Sequence, residues 1–136
     1  MSVFRVFLVV VMAIGLSSCS NTSHQGTSDQ VELNDGKRWK VNEATNVGVE
    51  NMQRIASAAN DLENPDLAMI STDLKTEFDL IFKNCTMTGP GHDQLHNYLL
   101  PMLGWMRRMR EGNDDEAKQA FDEISAHLNT YGQYFE

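Results

Sequence analysis

Cysteine, proline and basic residues are all scarce in this chain of 136 residues, and each scarcity excludes something. Two cysteines, Cys19 and Cys85, are too few for a disulfide framework, so the fold has to rest on its core. Lys and Arg number 11 against 19 Asp and Glu, and a net charge of −8 repels nucleic acid and anionic lipid headgroups. The one long apolar run, Val6 to Leu16, is too short to span a bilayer as a helix. No glycine-rich loop is built to cradle phosphate, no serine has a nucleophile-elbow context, and no CxxCH is present. Catalysis therefore has little support; the one alternative is a thiol enzyme in which His92 or His96 activates Cys85.

What is present begins with the leader. Arg5 precedes the apolar run, which reads as a signal h-region. The residues that end it, Leu16-Ser17-Ser18-Cys19, resemble the lipobox of bacterial lipoproteins, with an aliphatic residue, two small residues and a cysteine in the required order. The resemblance implies a signal peptide over 1–18 and a mature chain beginning at Cys19. It also implies acyl chains, palmitate among them, on that cysteine, and several such chains anchor firmly where one is marginal. The alternative is an ordinary secretory peptide cut near Ser18, with Cys19 incidental. Ser20 stands where the family's inner-membrane retention signal has aspartate, so the resemblance favours the outer membrane, with the protein facing the periplasm. Loss of the leader removes Arg5 and no acid, leaving ten basic against 19 acidic residues. With Cys19 lipidated, Cys85 is the only thiol left.

Residues 19–30 are small and polar and read as a flexible tether, with His24 an inert member of it. Residues 31–136 form one domain. Its lead-in, Val31 to Val41, carries an Asp35-Gly36 turn signal and lays Trp39 against the rest. Four helical stretches follow. The first spans about 42–60, with Asn42 as cap and Val49, Met52, Ile55, Ala56 and Ala59 on one face, weakened slightly by Gly48. The second opens with Asn64 as cap and Pro65 as its first residue, and carries Leu67, Ile70, Leu74, Phe78, Ile81 and Cys85 inward. After Gly89-Pro90-Gly91 the third points Leu95, Leu99, Met102, Leu103 and Met106 inward and ends near Gly112; Pro101 should kink it near Asn97 and open space beside His96. The fourth has Asn113 and Glu116 as a capping box and a stripe of Ala117, Phe121, Ile124, Leu128, Tyr131 and Phe135. The expected fold class is all-α, an antiparallel up-down-up-down four-helix bundle.

That topology gathers the chemistry at one end. Cys85 closes the second helix, Met87 lies in the following loop, His92 and His96 stand one turn apart on the third, and His127 lies about two turns before the end of the fourth. Thiolate, thioether and imidazole are the donors that suit copper or zinc. His92 and His96 have the four-residue spacing of helical metal ligands. Packing is the competing explanation for each donor: Cys85 as a small hydrophobe, His96 as a donor to a backbone carbonyl, His92 as a first-turn surface residue. Met102, Met106 and Met109 have core spacing. Asp114, Asp115 and Glu116 complement a helix dipole, and Arg107, Arg108 and Arg110 should pair with nearby acids.

Arg110-Glu-Gly-Asn-Asp-Asp-Glu-Ala-Lys-Gln-Ala120, with the closing Tyr131-Gly-Gln-Tyr134, resembles the last helix of the cytochrome b562 family, periplasmic four-helix bundles. The family's haem-ligating histidine falls at Gly132, and no methionine lies in the first turn of helix 1, so haem bound in that manner is not expected. Gln94 to Met102 is similar to a segment of small uncharacterised envelope lipoproteins, a resemblance that supplies no function.

The sequence thus points to a non-enzymatic, lipid-anchored periplasmic bundle that binds copper, or else zinc, through Cys85, His92 and His96, with Met87 or His127 completing the set. The alternative is an interaction lipoprotein, an inhibitor, immunity or assembly factor with no metal site, whose acidic surface meets a cationic protein partner.

Overall fold

The computed structural model describes residues 30–136. The expected signal peptide and lipobox with Cys19, His24 and nearly all of the expected tether lie outside the described residues. Four long helices, α1 (Glu43–Asn60), α2 (Leu67–Asn84), α3 (Pro90–Glu111) and α4 (Asp114–Leu128), are followed by a short α5 (Tyr131–Tyr134). Each long helix packs on the next and α1 closes onto α4, which makes a four-helix bundle. Among the described residues, β pairing is confined to two isolated bridges, and no helix is long and apolar enough to cross a membrane.

The helix ends follow from local chemistry, with two departures from the sequence pattern. Asn42 precedes α1, but its side chain ties the bundle together instead of capping: Oδ1 accepts from Thr45 Oγ1 at 2.6 Å and Nδ2 donates to the Asn84 carbonyl at 3.1 Å. The cap of α2 is Asp66, not Asn64; its carboxylate accepts from the Met69 amide at 3.0 Å, and Pro65 lies ahead of the helix. Gly89, at φ 75°, turns the chain into Pro90 at the start of α3. Asn113 and Glu116 form the capping box of α4, each bonding the other's backbone amide at 3.0 Å.

The fourth stripe does not run through to Phe135 as one helix. It breaks after Leu128 because the His127 carbonyl is taken by three donors: the Thr130 amide at 2.9 Å, Thr130 Oγ1 at 2.7 Å and Tyr98 Oη at 2.6 Å. The chain then makes α5 and pairs in parallel with the lead-in. Trp39 and Val41 donate to the carbonyls of Tyr134 and Glu136 at 2.7 and 2.9 Å, and Glu136 donates to Trp39 at 2.9 Å. The Asp35-Gly36 turn is also present, both residues at positive φ between the bridged Asn34 and Lys37.

The core is built from the expected apolar faces, including Met52, Leu74, Leu99, Met102 and Ile124, all at 1% exposure or less. Leu103 is the exception, 37% exposed, since it lies outside the arc formed by Leu99, Met102 and Met106. Thr45, held by Asn42, is fully buried, and so is Ser71, whose hydroxyl donates to the Met106 carbonyl at 2.6 Å and fixes α2 against α3. Of the basic cluster, Arg108 pairs with Glu123 across α3 and α4, and Arg110 with Glu111.

Candidate functional site

The donors separate into two neighbourhoods on either side of α3. On the side facing α2, Cys85 is the residue that ends that helix, a free thiol and half-buried. It lines a cavity of about 10 Å³ together with Ile81, Phe82, Leu95, His96 and Leu99. That is about the space of one water, in an apolar wall. The His96 ring lies over this cavity, 5.0 Å from the Phe82 ring and 4.3 Å from the His92 ring, which meets it edge to face. The i, i+4 spacing on α3 has therefore brought the two imidazoles into contact. Desolvation holds the His96 pKa below the ordinary value of 6.5; His92 pushes it the same way, and Asp93 opposes. A neutral imidazole keeps a lone pair for a Lewis acid or a donor.

Met87 is partly buried in the loop and packs toward the first turn of α3 at Gly91. A Cβ on Gly91 would meet Met87 Cε at 3.6 Å and Trp39 Cε3 at 3.1 Å, so Met87 sits beside the Trp39 indole. Trp39 itself is fixed by its indole N–H, which donates to the Glu32 carbonyl at 2.6 Å.

His127 belongs to the other side of α3. Its ring stacks on Tyr98, centroids 4.2 Å apart, and stands edge-on to Trp105 at 5.0 Å. His127 Nε2 is 2.8 Å from the Tyr98 carbonyl oxygen. A carbonyl only accepts, so Nε2 carries the hydrogen and is not open to a metal. Desolvation lowers the His127 pKa, partly opposed by that hydrogen bond. Tyr98 is fully buried, and its hydroxyl and carbonyl both engage His127, which locks α3 to the end of α4.

The structure thus puts Cys85 and His96 on one cavity and the His92 ring against that of His96, places Met87 at the Trp39 side, and takes His127 to the other side of α3. Among the described residues, no group of three or more His, Cys, Asp or Glu side chains stands assembled to hold a metal ion. The space beside His96 is the small cavity it shares with Cys85. Pro101 lies inside an α3 that runs on to Glu111, and the groove at Asn97 and Pro101 opens on the His127 side.

Tyr98 and Trp105 escaped the sequence reading. Tyr98, Pro101 and Trp105 repeat at three and four residues, a second stripe on α3 that marks the face turned toward α4. No protein-family model, curated protein or solved structure matches this chain.

Proposed function

We propose that the protein is a non-enzymatic, periplasm-facing bundle of up-down-up-down order, held at the outer membrane by lipid on Cys19, that binds copper(I) between α2 and α3. The carrying observation is that Cys85 and His96 line one cavity while the His92 ring touches that of His96. The up-down order is supported by short connections and by the packing of each helix on its sequence neighbour.

A thiolate with one or two neutral imidazoles is a soft, low-coordination set, which suits copper(I) better than zinc, whose structural sites call for four ligands. Closing the set requires Cys85 and His92 to turn about their side-chain bonds while the helices stay in place. Binding displaces the thiol proton, so affinity rises with pH.

Titration of the full-length protein in detergent with copper(I), against a competing chelator, tests this. One equivalent is expected to bind, and Cys85→Ser combined with His96→Ala should weaken binding by about a hundredfold or more, given that even outer-shell partners of ligands are worth ten- to a hundredfold. His127→Gln should leave binding unchanged. Sub-stoichiometric uptake, or a double variant that binds like the parent, refutes the reading.

A second reading, the interaction lipoprotein, draws on the groove of about 660 Å³ between the α1–α2 loop and α4. Glu63, Asp66, Asp114 and Asp122 surround apolar Met109 and Phe121 there, a composition suited to a cationic, amphipathic protein segment.

A further inference from the structure

The groove on the His127 side of α3 is independent of the copper reading. It measures about 510 Å³, within the range of small-molecule sites, and its lining includes Asn97, Pro101, Trp105, His127, Thr130 and Tyr134. None of its lining residues is Asp, Glu, Lys or Arg, in a chain of which 22% is charged. The larger groove near Phe121, by contrast, is rimmed by four carboxylates and Lys118. A wall without fixed charge gives no advantage to an ion that would have to shed its water, and so favours an uncharged ligand.

The polar groups of the wall divide into committed and free. Tyr98 Oη and Thr130 Oγ1 donate to the His127 carbonyl, and His127 Nε2 donates to the Tyr98 carbonyl. Among the described residues, the Asn97 amide, the Trp105 indole N–H and the Tyr134 hydroxyl have no such partner, although all three residues line the groove. Pro101 adds to this set: it has no N–H to give the Asn97 carbonyl, the acceptor four residues back. Two half-buried aromatic rings, Trp105 and Tyr134, thus stand beside uncommitted donors and acceptors of both kinds. The rings offer apolar faces with polar edges, and Trp105 is held in place by His127 at 5.0 Å.

We propose that this groove binds an uncharged polyhydroxylated ring, a pyranose unit of a glycan. Its C–H face packs on Trp105 or Tyr134, and its hydroxyls, each both donor and acceptor, bond to Asn97 and to the Trp105 N–H. An uncharged aromatic ligand would use the rings but leave the amide and the Asn97 carbonyl unanswered, at the cost that attaches to desolvated polar groups.

The test uses the full-length Trp39→Phe protein, in a detergent without a sugar headgroup, so that fluorescence reports Trp105 alone. Chitohexaose and maltohexaose are the probes, with indole and oligogalacturonate as comparison ligands. A saturable change in emission with at least one neutral oligosaccharide is expected, confirmed by calorimetry on the parent chain. Asn97→Ala should weaken it about tenfold, Tyr134→Ala should weaken it also, and His96→Ala should leave it unaltered. Trp105→Phe, which keeps a ring but loses the N–H, should show a smaller loss by calorimetry. Thermal unfolding establishes that each variant is folded. The proposal is overturned if neither oligosaccharide saturates, if folded Asn97→Ala and Tyr134→Ala both bind like the parent, or if indole or oligogalacturonate binds more tightly than both neutral oligosaccharides.

Discussion

Two glycines in helix interiors, Gly48 in α1 and Gly104 in α3, should respond oppositely to the same substitution. Helix propensity alone favours alanine at both, by about 1 kcal/mol. At Gly104 a Cβ meets nothing within 4 Å, so Gly104→Ala should realise that gain, raising the midpoint of thermal unfolding by about 4 to 8 °C in a domain of this size. At Gly48 the added Cβ overlaps Ile81 Cγ1 and stands 2.9 Å from Ile81 Cδ1. Ile81 is 1% exposed and packed into the core. Extra volume in a packed core costs about 1 to 3 kcal/mol, and the closeness of this overlap places it at the upper end. Net of propensity, Gly48→Ala should destabilise by about 1 to 2 kcal/mol. Urea unfolding followed by circular dichroism measures both changes. The partner test is Ile81→Ala: it costs about 2 to 5 kcal/mol alone, but in that background Gly48→Ala should no longer destabilise, a coupling of at least about 1 kcal/mol. If Gly48→Ala stabilises as much as Gly104→Ala, the close approach of α1 to α2 is wrong.

The histidines predict a pH dependence. Burial lowers the pKa of His127 and of His96 below the ordinary 6.5. The unfolded chain therefore binds protons first as pH falls, so their contribution to stability is complete above 6.5 and is lost progressively as pH drops below it, toward the folded values. His127→Gln, which keeps a donor for the Tyr98 carbonyl, should flatten the fall in unfolding free energy between pH 7 and 5; an unchanged slope would remove His127 from the account. The junction of the chain's ends offers a third measurement. Deleting Phe135 and Glu136 removes a fully buried ring and two of the three backbone hydrogen bonds of the junction, Val41 to Glu136 and Glu136 to Trp39, and should cost about 3 to 5 kcal/mol with a red shift in Trp39 emission. A truncated protein that melts like the parent would show that the pairing adds nothing.

The long helices were legible because their faces repeat at three and four residues, and the Asn113–Glu116 capping box because its two residues act only on each other's backbone. The start of α2 was misplaced because Pro65 and Asp66 both carry start signals, and the carboxylate's reach to the Met69 amide decides between them. The break after Leu128 is only partly local: Thr130 supplies two of the donors to the His127 carbonyl, and the third is a hydroxyl from Tyr98, 29 residues away. Gly48 reads as a weak point of a helix until Ile81 is seen against it.

The cluster of donors shows the same division. Sequence alone determined that Cys85, His92 and His96 fall near one another, since a helix end, a short loop and a four-residue step fix that within a turn or two. It could not determine that His127 faces away, because the side of α3 against which the fourth helix packs is set by Tyr98 and Trp105, and a pattern within one helix carries no information about its neighbour. For the same reason only the tertiary structure revealed the uncharged groove at Pro101: its wall is drawn from the lead-in, α3 and the junction of α4 with α5, and packing alone brings those together.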